Sequence, residues 1–512
     1  MTALFFGMLL RLIQATLEGA PTLLIGVLLA GVFRHMLNAE GTRRIFGNGT
    51  WRSIPQSWAL GMLLPVCSLG VIPIAYEMRR AGVSTGAILA FALTAPLFNP
   101  LSLLYGLTLS TPVIVIAFAT ASLVLVTLLG CGWDWLFASD SPDRSVETTP
   151  IAPGWQRIAG VFVVACQYLT GSILLYYLIA LSGNLLLCLI FPVGSLQSQF
   201  AQNDPWAPMI MLVLAVPVYA TPMTIMSQIG SMFVHGNSIG AAYTLLALGT
   251  GVNLGLLAWM ARNHGWFRTF VLLLVFAGSV TMIAYGIQVP LSVEGSVDHP
   301  HTHAFDIYSA PFESSAPNVQ WMFRHQLAES ALAYEQIALS ILVFMGLCGL
   351  ADRFLLRRID LEEWLSRSSV SHTSDSRRLD LYLPSSVLGL VVIFGLVAAS
   401  IAGCFIYYPP PAETLEEMRY VRAEAMSAVA SRDKLTATRN LERYEELTRR
   451  LEVGYYLRNG SLSDFQRTKC RVLRGWLERC KDTTEAGEFE AAREMTNSIF
   501  AAHRRVREAF LE

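Results

Sequence analysis

The sequence predicts an all-α fold: a polytopic transmembrane helical bundle with two pseudo-repeated halves, plus a small soluble helical C-terminal domain. Three observations predict it. Hydrophobic residues make up 53% of the 512 positions and charged residues only 15%, against about 25% charged in an ordinary soluble domain. The polar remainder is unevenly placed, since Lys434, Lys469 and Lys481 are the three lysines of the chain and all lie after residue 410. A proline-broken apolar pattern also appears once in each half of the hydrophobic region.

Membrane spans need roughly 20 apolar residues each. That length marks about ten candidate spans, at 3–37, 56–79, 83–107, 111–131, 158–191, 208–234, 237–261, 266–289, 331–351 and 384–408. The N-terminal stretch has no basic n-region and runs longer than a signal peptide, so it is taken as the first membrane helix. The domains expected are a first permease repeat at 1–137, a polar linker at 138–157 and a second repeat at 158–289. A His-containing extramembrane loop follows at 290–330, an additional transmembrane helix pair with a proline linker at 331–411, and the soluble helical domain at 412–512. In that last domain Leu441, Tyr444, Leu447, Leu451 and Tyr455 recur at helical spacing. Thr414 to Glu417 has the form of a capping box, and Asn459-Gly460 that of a helix stop.

A net charge of −1 excludes the clustered basic face that nucleic-acid binding needs. The eight cysteines are scattered, with no CxxC pair. No Gly-x-x-x-x-Gly-Lys-(Ser/Thr) loop and no HExxH helix is present. The reading is therefore a transporter and not an enzyme, multi-pass in the plasma (inner) membrane. Its partners are the lipid bilayer, a small ion or solute, and a protein partner for the C-terminal helices.

The repeat carries the most information. Gly82-Val-Ser-Thr-Gly-Ala87 returns as Gly236-Asn-Ser-Ile-Gly-Ala241, and Asn99 returns as Asn253, all displaced by the same 154 positions. Upstream of each copy stands a proline-broken segment, Pro65-Val-Cys-Ser-Leu-Gly-Val-Ile-Pro73 and Pro217-Val-Tyr-Ala-Thr-Pro222. Breaks of this kind strand backbone carbonyls that lipid cannot satisfy. Paired breaks in two halves point to a transporter binding site near the midplane.

These residues resemble the predicted permease family that includes organoarsenical efflux permeases. The resemblance rests on Pro65 to Pro73, on Gly82 to Ala87, on Ala95-Pro-Leu-Phe-Asn-Pro100, on Val216-Pro-Val-Tyr219 and on Glu18-Gly-Ala-Pro21. It spans roughly residues 1–290 and implies a permease of two related helical halves. The second thiol often found beside the first cysteine is Leu69 here, and no cysteine lies near Tyr219. A multi-thiol arsenic site is therefore not carried over.

The candidate pathway residues are Glu18, Cys67, Ser68, Asn99, Tyr219, Thr221 and Asn253. Cys67 and Ser68 lie between prolines, where non-helical backbone can present a soft thiol to a metal or metalloid. Asn99 and Asn253 offer donors and acceptors at matched places. Glu18 is an intramembrane carboxylate, a functional candidate by default, with Arg11 two turns earlier as its alternative structural partner. Separately, Asp298, His299, His301, His303 and Asp306 alternate as an extended strand would place ligands on one face. Three imidazoles and a carboxylate suit a divalent transition metal, zinc, copper or nickel. A metal sensor or scaffold, or a membrane-embedded metalloenzyme, is the alternative reading of that loop.

Overall fold

Prolines and glycines set where the apolar helices stop. The computed structural model describes residues 2–47, 52–98, 100–109, 112–137, 156–291, 302–315, 318–330, 332–355 and 385–511. Among the described residues the regular structure is helical, with one isolated bridge, Ala201 to Asn237, and no strand. The chain divides into two units, Met1–Ser102 with Ile116–Ala398, and Leu103–Val115 with Ala399–Glu512.

The chain opens with α1 (Thr2–Val32), which runs on through a π-helical turn at Phe33–Leu37. Then come α2 (Asn38–Phe46), α3 (Ser53–Leu63), α4 (Val71–Arg80), α5 (Thr85–Thr94), α6 (Pro100–Leu109) and α7 (Pro112–Leu136). The order continues with α8 (Gln156–Thr170), α9 (Ser172–Ile190), α10 (Ala207–Ala215), α11 (Pro222–Val234) and α12 (Ile239–Thr244). A second π-helical turn, Leu245–Thr250, leads towards α13 (Leu254–His264) and α14 (Trp266–Gln288). Beyond these lie α15 (Val319–Ser330), α16 (Ala333–Leu355) and α17 (Ser385–Tyr407).

Five described helices are long and apolar enough to cross a membrane: Thr2–Leu37, Pro112–Leu136, Ser172–Ile190, Trp266–Gln288 and Ala333–Phe354. The pair Ile239–Thr250 and Leu254–His264, bent by 56°, makes a sixth if counted as one span. Four of the ten expected spans are thus pairs of half-helices: α3 with α4, α5 with α6, α10 with α11, and α12 with α13. Apolar length alone does not distinguish such a pair from a continuous helix. The expected span 158–191 is likewise divided into α8 and α9 at Gly171.

The matched sequence segments adopt matched local structure. Gly82 and Gly236 both have positive φ, +77° and +65°, which glycine alone takes without strain. Ser84 and Ser238 each cap the helix that follows, accepting from Ala87 N–H at 3.3 Å and Ala241 N–H at 3.0 Å. Gly86 N–H donates to Asp134 Oδ1 at 2.7 Å, and Gly240 N–H to Gln288 Oε1 at 2.7 Å, each acceptor 48 positions on. A Cβ on either glycine would collide with that acceptor's helix.

In the first unit α1 is central, packing on α4, α8, α9, α15 and α16. Large apolar side chains such as Leu128, Met282 and Phe344 stay exposed on the outer helices, as lipid-facing surfaces require. The segment 302–315 folds back onto this unit, burying Phe305, Tyr308 and Phe312, with Phe312 against Ala3 and Leu10 of α1.

The second unit contains α18 (Pro411–Ala430), α19 (Lys434–Asn459), α20 (Asp464–Glu485), α21 (Phe489–Glu494) and α22 (Thr496–Leu511). Leu441, Tyr444, Leu447 and Leu451 lie in its core with Leu473, Leu477 and Val506. Asp433 caps α19, left-handed Gly460 ends it, and Ser463 with Gln466 forms a capping box on α20. The expected box at Thr414 does not form. Pro410 and Pro411 start α18 earlier, and the Thr414 hydroxyl donates back to the Pro410 carbonyl at 3.3 Å. Arg474 and Glu452 pair inside this core. Arg458 of α19 donates to the carbonyls of Tyr408 at 2.7 Å and of Pro409 and Phe405 at 3.3 Å. Arg450 donates to the Tyr407 hydroxyl at 3.2 Å.

Candidate functional site

Non-helical backbone at residues 64–70 and 216–221 separates α3 from α4 and α10 from α11. The two breaks meet. Tyr219 occupies the place after Pro217-Val that Cys67 occupies after Pro65-Val, and its hydroxyl donates to Cys67 Sγ at 3.7 Å. Both side chains are buried. The other pair of breaks also touches, since a Cβ on Gly251 would stand 3.1 Å from Leu97 Cδ1 and 3.3 Å from the Leu93 carbonyl. Leu97 and Gly251 hold equivalent places in the two copies.

Neighbouring helices hold the breaks in place. On α9, the Asn184 amide donates to the Tyr219 carbonyl at 2.7 Å, and its oxygen accepts the Tyr219 N–H at 2.8 Å. That one side chain satisfies both backbone groups that the break frees. Gly183 beside it lets Pro217 approach, for a Cβ there would fall 1.8 Å from the Pro217 carbonyl oxygen. A Cβ on Gly26 of α1 would likewise fall 2.4 Å from Gly70 Cα in the first break. Gly19 leaves room for the Tyr219 phenol, whose oxygen would be 2.2 Å from a Cβ.

In and beside the two pairs of breaks several buried polar atoms have no hydrogen-bond partner among the described residues: Ser68 Oγ, Tyr177 Oη, Asn253 Nδ2 and Gln228 Nε2. Tyr177 lies near Cys67 and Tyr219. Asn253 uses its oxygen to cap α13, accepting from Leu256 N–H at 2.8 Å, which leaves the amide hydrogens open. Buried donors without partners are costly in a finished core. Each is therefore a candidate contact for a polar solute.

Glu18 lies one residue before Gly19, with part of its surface left uncovered by the protein. Thr224 Oγ1 donates to its Oε1 at 2.8 Å, and Thr221 Oγ1, which caps α11, is 2.8 Å from Thr224 Oγ1. Arg11 does not pair with it. Its guanidinium turns to Gln14 Oε1 at 3.0 Å and to the carbonyls of Ser309 and Asp306. Helical spacing brings Arg11 to the face of Glu18, but the folded-back segment captures it. Glu77, which is buried, accepts from the Tyr168 hydroxyl and lies 3.9 Å from Arg34 Nη1. Arg34 belongs to the π-helical turn that ends α1, a local distortion frequent at functional sites.

The structure therefore brings Cys67, Ser68 and Tyr219 together and joins Glu18 to Thr221 through Thr224. Asn253 lies in the second break pair. Asn99, Asp298, His299 and His301 lie outside the described residues. Of the proposed metal ligands, His303 Nδ1 is 2.8 Å from Asp306 Oδ2, and Gln197 Nε2 donates to both Asp306 oxygens at 3.0–3.1 Å. Among the described residues no group of three His, Cys, Asp or Glu side chains is placed to hold a metal ion. Asn184, Tyr177 and Thr224 carry no motif signal. They become visible only when α1, α9 and α11 pack.

A family model described as "Predicted permease" matches residues 5–289. The UPF0718 protein YcgR of Bacillus subtilis is 35% identical over 91 residues, 18% of this chain and 31% of that protein. The UPF0718 protein MJ0584 of Methanocaldococcus jannaschii is 28% identical over 127 residues, 24% of this chain and 35% of that protein. The chain thus spans about a third of the length of the curated relatives it matches. No solved structure matches it.

Proposed function

The chain belongs to this predicted-permease family and is an integral membrane protein, and from that premise we propose that it is a permease carrying a small ion or solute between two pseudo-repeated halves. The observation that carries the reading is the meeting of equivalent breaks, Cys67 with Tyr219 and Leu97 with Gly251. Residues related by a two-fold axis touch one another only close to that axis. An axis through both contacts makes each half the counterpart of the other, the arrangement in which rocking one half opens a central site to alternate sides.

In this reading Cys67, Ser68, Tyr219, Thr221 and Asn253 line the path, with Asn99 at the matched place in the first half. Glu18 serves as the coupling carboxylate. The thiol and phenols favour a soft or hydrogen-bonding cargo, a metal or metalloid among them. The loop residues Asp298, His299, His301, His303 and Asp306 would present a divalent metal, zinc, copper or nickel, as cargo or regulator. Support for that part comes from the His303–Asp306 pair fixed by Gln197.

The test is a flux screen of metals and metalloids in vesicles bearing wild type, Cys67→Ala, Glu18→Gln or a variant with His299, His301 and His303 all changed to alanine. We expect Cys67→Ala and Glu18→Gln to cut the flux of the carried solute by about tenfold or more, the size of one lost polar contact. Unchanged flux in every variant, with insertion intact, would end the assignment.

A further inference from the structure

The charges of the C-terminal helices are sorted by position along the second unit. From 453 to 477 Asp464 is the one acid, against Arg458, Arg467, Lys469, Arg471 and the buried Arg474. From 482 to 494 the balance inverts, with Asp482, Glu485, Glu488, Glu490 and Glu494 against Arg493. The fold keeps the two groups apart. The 22 residues of α20 span about 33 Å at 1.5 Å per residue, with the cations at its start and the acids at and beyond its end. Glu490 is fixed at that far end, pairing at 2.7 Å with Arg432 of the turn between α18 and α19.

The basic end is the one that meets the apolar helix α17. Arg458 holds the carbonyls of Phe405, Tyr408 and Pro409, so the last turn of α19 lies beside the last turn of α17. Left-handed Gly460 then reverses the chain, and Ser463 caps α20 three residues on. From the other side, Gln466 Nε2 donates to the Ala509 carbonyl at 2.9 Å and brings the end of α22 to the same place. Large apolar groups stay uncovered there. Phe465 is 61% exposed and Leu511 51%, and Phe405 and Ile406 of α17 are exposed too. Lys469 Nζ stands 4.6 Å from the centre of the Phe465 ring, and Arg467 and Arg471 are likewise one turn apart. Among the described residues no carboxylate pairs with Arg467, Lys469 or Arg471, and Arg467 Nε has no hydrogen-bond partner.

Aromatic side chains set among cations, beside the end of an apolar helix, suit the layer where hydrocarbon gives way to headgroups. Each cation there gains from anionic lipid, and the long basic stems can lie along apolar surface with their charges in the headgroups. We propose that the start of α20, with Phe465, Arg467, Lys469 and Arg471, is a seat for anionic lipid headgroups. It lays the basic end of the C-terminal helices on the bilayer and turns the acidic end away from it. The inference rests on membrane embedding and not on transport, so the flux screen neither supports it nor ends it.

The three lysines of the chain supply the test. Lys469 lies in the seat, Lys434 is exposed at the far end as the first residue of α19, and Lys481 is buried against Glu442. The full-length protein is reconstituted in vesicles of phosphatidylcholine, alone or mixed with phosphatidylglycerol. It is then acetylated with an uncharged succinimidyl ester, and peptide mass mapping gives the rate at each lysine. With phosphatidylglycerol present Lys469 should react about fivefold or more slowly, the scale of one cation at an anionic surface, while Lys434 keeps its rate. Added salt should restore Lys469. Phe465→Ala combined with Arg467→Gln and Arg471→Gln should lose most of the protection, with Lys481 still unreactive as the sign of an intact fold. Should that variant unfold, Arg471→Gln alone, at an exposed position, should show a smaller loss in the same direction. Equal rates at Lys469 in both lipids, equal slowing at Lys434, or protection that survives in the folded variants would overturn the proposal. Protection in phosphatidylcholine alone that salt does not relieve would also overturn it, and would assign the surface to a contact between copies of the protein.

Discussion

Replacing Gly19 with alanine tests how tightly the two breaks are held together. The added methyl would stand 2.2 Å from Tyr219 Oη and 3.2 Å from Cζ, where carbon contacts settle at about 3.5–4.0 Å. The phenol has nowhere to retreat. Its ring is 2% exposed, and Asn184 holds the backbone behind it at both N–H and C=O. Overpacking at such a site costs about 1–3 kcal/mol, and relieving it means parting Tyr219 from Cys67. We expect Gly19→Ala to lower the thermal midpoint of the purified protein by roughly 2–4 °C per kcal/mol, on the scale of a domain of 150–250 residues. Cys67 should also become more reactive towards a maleimide. Adding Tyr219→Phe removes the colliding oxygen and should recover most of the lost midpoint. If Gly19→Ala melts with wild type, or the double variant recovers nothing, the packing of the breaks is not as argued.

Asn184→Leu should destabilise the same region by leaving the Tyr219 N–H and C=O unsatisfied, at about 1–3 kcal/mol for each buried group. A melt superimposable on wild type would remove the clamp from the account. In the second unit, burial together with Arg422 and Arg507 pushes His503 down to about 4, and its Nδ1 lies 2.7 Å from the Tyr444 hydroxyl. A histidine with a lowered folded value binds its proton more readily when unfolded. Stability is therefore complete above about pH 6.5 and falls as pH drops towards 4, by about 3 kcal/mol in all. Limited proteolysis of the α19–α22 region at matched pH should show this loss in wild type, and a smaller one in His503→Gln.

The breaks were legible because proline and glycine announce themselves locally. Pro65, Pro217 and the positive-φ pair Gly82 and Gly236 need no partner to impose their geometry. Helical content in the tail was legible for a similar reason, the apolar period of Leu441 to Leu451. The contents of the site were only half legible. Cys67 and Tyr219 stand out within their breaks, yet Asn184, Tyr177 and Thr224 look like ordinary helix residues until distant segments pack on them. Arg11 illustrates the limit most sharply. Periodicity put it on the face of Glu18, and the carbonyls of Asp306 and Ser309, almost three hundred residues away, took it elsewhere. Thr414 failed as a cap because Pro411, at the first position of α18, fixes the start of that helix three residues earlier.

The grip of Arg458 and Arg450 on residues 405–409 has a mechanical meaning. A polyproline joint by itself would be a stiff rod that still swivels at its ends. Here four hydrogen bonds weld residues 405–409 to α19 within the second unit, so this stretch of chain turns with α19 as one piece. The 26 residues of α19 make a lever about 39 Å long at 1.5 Å per residue. A tilt of about 5° at one end would sweep the other by roughly 3 Å, so a small rotation of residues 405–409 is amplified at the far tip of α19.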